Sequence, residues 1–169
     1  AKNLVGSFDT TKFGSIPMIS VGLVPLILAL LFFTLKSIKP IVKLSYSLFF
    51  TLIISSFYLQ PLNLFWQGMH APNMFLYRYA WVISIGIIYL AAETVVRLDQ
   101  INLKHFTLVI SFLVIGFLST YSFKNHYDFL VDVNFLLTLE FLIAYFILFI
   151  VILGYKSSFK WITSTIVIF

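Results

Sequence analysis

Residues 18–35 read "MISVGLVPLILALLFFTL", an apolar run without a single charged side chain. About 20 residues of this kind, wound into a helix, cross the hydrocarbon core of a bilayer, so the run predicts a transmembrane helix. Pro25 lies inside the run and predicts a kink, which a membrane helix tolerates when its neighbours satisfy the freed carbonyl group. The sequence therefore predicts a kinked spanning helix near the start of the chain.

Comparable apolar runs recur along the rest of the chain. We expect spans near 41–59, 79–96, 106–123 and 129–153, and a truncated sixth at 161–169. The nine residues of the last run are too few to cross a bilayer, and they would alternatively form a short interfacial helix at a true C-terminus. The predicted fold is an all-α, polytopic transmembrane bundle, with about five complete spans and a truncated sixth. We expect a single transmembrane region that is a fragment of a larger membrane protein.

The composition agrees with a protein solvated by lipid. Hydrophobic residues make up 61% of the 169 positions, only 10% are charged, and the mean hydropathy is +1.04. Soluble domains carry about 25% charged residues, so this chain could not cover a water-facing surface. Cysteine is absent, and no histidine-rich spacing typical of a metal site occurs. The net charge of +5 comes from basic residues at span ends, which favours membrane surfaces over nucleic acid as the partner.

The connections between the predicted spans alternate in charge. The connections at 36–43, 97–105 and 154–160 hold seven of the eleven basic residues against one acid, Asp99. Because positive charge accumulates on the cytoplasmic side, we expect these three connections to be cytoplasmic. Residues 60–78 and 124–128, together with the opening segment 1–17, then lie outside the cell.

The outer connection 60–78 concentrates polar chemistry. Arg78 stands at the first turn of the third span, where its planar guanidinium can hold two phosphate oxygens. The positive end of the helix dipole and free backbone donors are expected at the same place. His70 can donate to that phosphate or carry a proton, and Asn73 can hydrogen-bond a sugar hydroxyl. Trp66 can stack on a sugar ring, which completes a predicted substrate-binding set.

Each of these residues also has a structural interpretation. Arg78 can extend to phosphates of ordinary lipids at the interface, and His70 can be an ordinary loop histidine. Asn73 follows Pro72, a sequence typical of turns. Trp66 lies where aromatic anchors gather at the membrane boundary. Both sets of roles put this connection at headgroup depth, on the side of the membrane that the charge pattern predicts.

Two carboxylates in or near the membrane stand out. Glu140 lies deep in the span 129–153, where a charged carboxylate is costly and is a candidate functional site. It either makes a structural hydrogen bond or lines a cavity or proton path, with Asp132 two turns before it. Asp9 in "FDTTKF" either caps an interfacial helix or serves as a catalytic carboxylate. Glu93 is expected to form an ion pair with Arg97, four residues later on the same helix.

The stretch 6–33 and the loop "HAPNMFLYRYAWV" at 70–82 occur in an order that resembles the bacterial YfhO family of polytopic membrane proteins. The stretch 6–33 is similar to an outer segment of that family, which leads into a span, and "HAPNMFLYRYAWV" at 70–82 is similar to a later outer loop. The chain departs from the family pattern at Ala71, where an aromatic residue is expected, and at Leu76, where proline is usual. The matching positions are Phe8, Asp9, Pro17, Val21, Gly22 and Leu23 in the first pattern, and His70, Pro72, Asn73, Phe75, Arg78 and Tyr79 in the second.

The resemblance implies a function as well as a fold. YfhO-like proteins are similar to the C-type glycosyltransferases, which transfer a sugar from a polyprenyl-phosphate carrier on the outer leaflet. In relatives from Gram-positive bacteria the implied cell-envelope acceptor is a teichoic acid. The implied base is a carboxylate in the first outer loop of the complete protein, with Asp9 as the candidate within this chain. No cofactor is implied beyond the donor itself.

Two other classes of function remain open from the sequence. A transporter or flippase of a lipid-linked sugar would use Glu140 and the predicted kink at Pro25, because buried charges and broken helices mark transport sites. A noncatalytic protein of envelope assembly would need neither. The polar outer loop favours the enzyme, whereas a chain of buried ionisable residues would favour the transporter.

Overall fold

The computed structural model describes residues 17, 19, 21–70, 77–122 and 132–154. Within these ranges the chain is all-helical and contains no strand, which confirms the predicted all-α class. Several predicted features lie outside the described residues. They are the opening segment before residue 17 with Asp9, the residue Asn73, the connections 124–128 and 155–160, and the helix predicted at 161–169.

Six α-helices follow one another within the described residues. The helices α2 and α4 begin and end within one residue of the predicted spans 41–59 and 79–96. A short helix, α3, occupies the predicted outer connection, and a single 3-10 turn, Leu98–Gln100, precedes α5. The helices are α1 Leu23–Phe32, α2 Pro40–Tyr58, α3 Gln60–Trp66, α4 Ala80–Val95, α5 Leu103–Ser122 and α6 Asp132–Gly154.

Two of these helices have the length and composition to cross a membrane. They are α2, with 19 residues, and α5 over Leu103–Tyr121, also with 19 residues. The helices α1 and α4 and the stretch Phe135–Val151 of α6 are apolar but shorter. The ten residues of α1 extend only about 15 Å at 1.5 Å per residue, roughly half the hydrocarbon core. The prediction of a spanning helix over 18–35 is therefore wrong in its length.

The start of α1 also corrects the predicted kink. Gly22 is extended (φ −68°, ψ 161°), and its carbonyl accepts the first helical hydrogen bond, from Leu26 at 3.3 Å. Pro25 consequently lies in the first turn, where a missing N–H leaves no helical carbonyl without its donor. At the other end of α1, the Lys43 ammonium donates to the Phe33 carbonyl at 2.9 Å, which satisfies one of the free carbonyls there.

The helix α1 is the centre of the described bundle because it is buried on two sides. Along one side, Ile27, Leu31 and Leu35 recur every four residues and pack against α5 and Leu142 of α6. A second side presents the buried ring of Phe32 to α2 and α4. A helix enclosed in this way is apolar all round, which explains why residues 23–35 carry no polar stripe. The buried α5 partners are Phe106, Val109, Ile110 and Leu113.

Ring contacts show that α2 and α4 run in opposite directions. Tyr46, early in α2, lies beside Tyr89, late in α4, with ring centroids 6.0 Å apart. Late in α2, Ser56 accepts a hydrogen bond from Tyr79, which directly precedes α4. The connection 59–79 therefore joins neighbouring antiparallel helices at one end of the bundle.

The helices α5 and α6 are antiparallel by the same criterion. Phe106 stacks on Phe149 with ring centroids 3.8 Å apart, and Tyr121 stacks on Phe135 with ring centroids 4.5 Å apart. Leu35 and the start of α5 belong to one buried cluster, so the connections 33–39 and 96–102 lie at the same end of the bundle as the last turns of α6. The connection 59–79 lies at the opposite end.

Candidate functional site

The site predicted from the sequence lies where α2, α3 and α4 meet. After α2 the backbone is extended at Leu59 (φ −100°, ψ 107°), and α3 then ends in a Schellman motif. The Met69 N–H donates to the Leu64 carbonyl at 2.8 Å, and the Gly68 N–H donates to the Phe65 carbonyl at 3.3 Å. Both Gly68 (φ 68°) and Met69 (φ 62°) are left-handed, a conformation in which glycine carries no steric cost. Gly68 and Met69 therefore end the helix α3.

A buried serine ties the three helices together. Ser56 is fully buried, and its hydroxyl donates to the Leu52 carbonyl at 2.7 Å. The same oxygen accepts a hydrogen bond from the Trp66 indole N–H at 3.0 Å. The Ser56 carbonyl accepts one from the Tyr79 hydroxyl at 2.8 Å. We call Ser56, Trp66 and Tyr79 the Ser56 node, because these bonds hold α3 and the start of α4 against α2.

Aromatic stacking reinforces the node. The Tyr79 ring contacts both Phe57 (5.3 Å between ring centroids, 16° between planes) and Trp66 (5.7 Å, 26°). The Tyr77 ring meets Phe57 edge-on at 5.4 Å. Such pairs contribute about 0.5–1.5 kcal/mol each beyond the burial of their area. Tyr79 is consequently only 6% exposed although it precedes its helix.

Between these two tyrosines, the Arg78 side chain is exposed. Within the described part of the chain it has neither a hydrogen bond nor an ion pair. The expectation of free backbone donors beside it is wrong at two positions, because the N–H groups of Ala80 and Val82 bond the carbonyls of Tyr77 and Tyr79 at 3.0 Å each. An anion here would depend chiefly on the guanidinium.

The other predicted binding residues differ in their surroundings. His70 is exposed, directly after the left-handed Met69. Trp66 retains 38% exposure, but its N–H is bonded to Ser56 and one face of its ring meets Tyr79, which favours an anchoring role over a sugar-stacking one. His70 and Arg78 share one connection, whose residues 71–76, including Asn73, lie outside the described residues. The roles of these residues in substrate binding stay predictions.

The entire chain, residues 1–169, matches the family model described as "Bacterial membrane protein YfhO". The chain belongs to the YfhO family. The predicted family is thereby confirmed, and the chain is that of a bacterial membrane protein. No curated protein and no solved structure is significantly similar to it.

Two residues of the Ser56 node in this YfhO chain were not predicted from the sequence as site residues. Ser56 lies in an apolar helix, where a serine usually bonds only the carbonyl four residues earlier. Tyr79 matches the YfhO loop pattern, but nothing in its spacing indicates a bond to a residue 23 positions away. Trp66 was one residue that could have indicated the node, since a tryptophan N–H near an apolar surface usually requires an acceptor such as Ser56.

The carboxylates of this YfhO chain are spread over separate places. Glu93 forms the predicted ion pair with Arg97, whose guanidinium also donates to the Glu93 carbonyl at 2.7 Å. Glu140 is exposed on α6 and has no hydrogen-bond partner among the residues that the structure describes. Asp132 begins α6, but its side chain and Asp9 lie outside the described part. A cavity or proton path at Glu140, with Asp132 two turns before it, therefore stays a prediction.

Proposed function

We propose that the protein to which this chain belongs is a membrane glycosyltransferase. It transfers a sugar from a polyprenyl-phosphate donor to a cell-envelope acceptor such as a teichoic acid of Gram-positive bacteria. Family membership supports the proposal through the resemblance of YfhO-like proteins to C-type glycosyltransferases. The observation that carries it is the exposed guanidinium of Arg78, which has no partner among the described residues and directly precedes Tyr79 of the Ser56 node.

The surroundings of Arg78 suit an amphiphilic ligand. Large apolar side chains are exposed at the same end of the described bundle, a surface that a prenyl chain can contact. Arg78 offers a planar pair of donors to the phosphate that joins the prenyl chain to the sugar. A lipid phosphate thus finds apolar and cationic contacts at the same end of the described bundle. The exposed apolar residues are Tyr58 (84%), Leu59 (53%), Phe65 (61%) and Met69 (69%).

The proposed chemistry is direct displacement at the anomeric carbon. An acceptor hydroxyl oxygen bonds that carbon while the bond from the carbon to the phosphate oxygen breaks, and polyprenyl phosphate leaves. The hydroxyl proton passes to a carboxylate base, for which Asp9 is the candidate in this chain. Negative charge grows on the phosphate as it leaves, so a guanidinium beside it stabilises the transition state more than the ground state.

We propose a multi-pass topology in the bacterial cell membrane, in which α2, α4, α5 and α6 cross the bilayer and α1, at about 15 Å, does not reach across it. Residues 60–78 and 124–128 are extracytoplasmic, and 36–43, 97–105 and 154–160 are cytoplasmic. The clustering of the connections 33–39 and 96–102 at the bundle end opposite 59–79 supports this arrangement. The excess of basic residues assigns the former end to the cytoplasm.

The topology predicts opposite labelling of two introduced cysteines. In the complete protein, freed of any other cysteine, His70→Cys and Ser37→Cys each provide a single thiol, and both positions are exposed. A membrane-impermeant maleimide added to intact cells should label residue 70 and not residue 37. Residue 37 should react only after permeabilisation. Protection of residue 70 in intact cells, with labelling after permeabilisation, would put Arg78 on the wrong side and remove the basis of the proposed function.

One observation favours a second candidate, a transporter or flippase of a lipid-linked sugar. An exposed carboxylate on an apolar helix is costly in contact with lipid, so Glu140 of α6 suits a polar cavity or proton path. For a transporter, Glu140→Gln should lower flux of a lipid-linked sugar across vesicles by roughly tenfold or more, because the neutral amide cannot carry a proton. The isosteric change should leave the unfolding transition unchanged.

The assay that separates the candidates is sugar transfer by the complete protein. Purified protein is given a radiolabelled sugar on a polyprenyl phosphate, together with the polymer acceptor. Incorporation into polymer supports the enzyme, and unchanged incorporation by Glu140→Gln removes that carboxylate from the reaction. Flux without incorporation identifies the transporter. Neither activity is expected for the third candidate, a noncatalytic protein of envelope assembly.

A further inference from the structure

Tyr79 is held at three points. Its hydroxyl donates to the carbonyl of buried Ser56 at 2.8 Å, and its ring contacts Phe57 and Trp66. These partners belong to α2 and α3 and are distant from Tyr79 in the chain. Breaking the contacts would leave a buried carbonyl without this donor and open a gap between helices, so the position of Tyr79 is strongly determined.

This constraint extends to the neighbouring Arg78. The backbone on either side of residue 78 is tied down, by Tyr79 in the node and by the Tyr77 ring against Phe57. The Arg78 side chain itself remains exposed. A guanidinium on a fixed backbone loses less freedom when it binds an anion than one on a mobile loop does. The node can therefore increase the affinity of a site that it does not touch.

We propose that Tyr79 is a positioning residue, which holds Arg78 where the phosphate of a lipid-linked donor binds. The inference rests on the proposed function and deepens it, since it assigns a role to a residue that never contacts the ligand. The decisive group is the Tyr79 hydroxyl, because it connects the start of α4 to the carbonyl of Ser56.

Tyr77 provides a matched control. It is a tyrosine on the other side of Arg78 and it also packs against Phe57, but its hydroxyl has no hydrogen-bond partner among the described residues. Tyr77→Phe and Tyr79→Phe therefore remove the same atom, and only the second removes an interhelical bond. An effect restricted to Tyr79→Phe cannot come from the loss of a phenol as such.

The first measurement reports on residue 78 without any ligand. A nitroxide is attached to Arg78→Cys in the complete protein, freed of other cysteines and reconstituted in lipid nanodiscs. We expect Tyr79→Phe to narrow the electron paramagnetic resonance spectrum, as a more mobile label does, and Tyr77→Phe to leave it unchanged. Tyr79→Leu, which also removes the stacking, should narrow it further. An identical spectrum in all variants would overturn the positioning role.

The second measurement is binding of farnesyl phosphate, with the neutral alcohol farnesol as the control for the tail. Tyr79→Phe should weaken farnesyl phosphate binding about fivefold, the equivalent of one net hydrogen bond, and leave farnesol unaffected. In the Arg78→Ala background the same change should have no further effect, because the residue it positions is gone. A fivefold loss that persists without Arg78 would contradict action through Arg78.

The two measurements separate the two hypotheses. Suppose that the label becomes more mobile in Tyr79→Phe but Arg78→Ala does not change farnesyl phosphate binding. Tyr79 would then constrain residue 78, but the phosphate role of Arg78 and the proposed function would be refuted. An unchanged label, with binding that depends on Arg78, would retain the proposed function and refute the positioning by Tyr79.

Discussion

Replacing Arg78 with Ala in the complete protein should reduce sugar transfer from a polyprenyl-phosphate donor roughly 100-fold, as loss of a preorganised transition-state donor does. Arg78 is exposed and unpaired among the described residues, so its removal breaks no described contact. Expression and the unfolding transition should therefore stay unchanged. The measurement is the initial rate of radiolabel incorporation into polymer at a saturating acceptor concentration.

The conservative variant shows which property of Arg78 matters. Arg78→Lys keeps the positive charge but replaces a planar pair of donors with a single ammonium, so we expect most of the activity to be lost here as well. Arg97 provides the matched control, because it lies at the opposite end of the bundle in an ion pair with Glu93. Arg97→Lys should retain near-normal transfer. Unaltered transfer by Arg78→Ala would refute the role.

The helices were largely predictable from the sequence. The predicted length of α1 was wrong for a physical reason. Hydropathy marks residues that lie in an apolar environment, and it does not show where helical hydrogen bonding begins. Residues 18–35 are continuously apolar, yet the helix covers only Leu23–Phe32. The extended Gly22 and the first-turn position of Pro25 set its start. In α2, by contrast, Pro40 opens the helix at the boundary that the apolar run predicts.

The candidate site was predictable only in part. Arg78 and His70 were predictable because polar side chains are conspicuous in so apolar a chain, and both are exposed as a ligand would require. The Ser56 node was not found, because it depends on how α3 folds back onto α2. That return follows from the extended Leu59 and from the tertiary contacts of Trp66, which no local pattern specifies. The expectation of free N–H groups at the start of α4 also failed, because turns just before the helix supply carbonyl acceptors for two of them.

The ring of Phe50 in α2 packs against α4 beside Gly86. A Cβ atom built on Gly86 would lie 2.9 Å and 3.1 Å from two atoms of the Phe50 ring, so any side chain at residue 86 requires that ring to shift. Gly86 lies two turns from Tyr79 along α4. The distance between the two helices at this point therefore bears on the bond between Tyr79 and Ser56.

Gly86→Leu should consequently lower the free energy of unfolding by about 1–3 kcal/mol, the usual cost of overpacking. It should also reduce transfer, because separating α2 from α4 strains the bond that holds the Ser56 node. Gly86→Ala should do less, since only the tip of the Phe50 ring has to shift. Unfolding of the complete protein in mixed micelles, titrated with sodium dodecyl sulfate, measures the first effect, and the transfer assay measures the second.

A substitution at Gly116, inside α5, provides a control that distinguishes the effect of packing from that of helix propensity. A Cβ at residue 116 would meet nothing within 4 Å. Leucine in place of glycine improves helix propensity by about 1 kcal/mol at both residue 86 and residue 116. Gly116→Leu should therefore be neutral or slightly stabilising, with normal transfer. If Gly86→Leu proved as stable and as active as Gly116→Leu, the contact with Phe50 would not control the spacing of α2 and α4. The node would then have to be held by its own hydrogen bonds and rings alone.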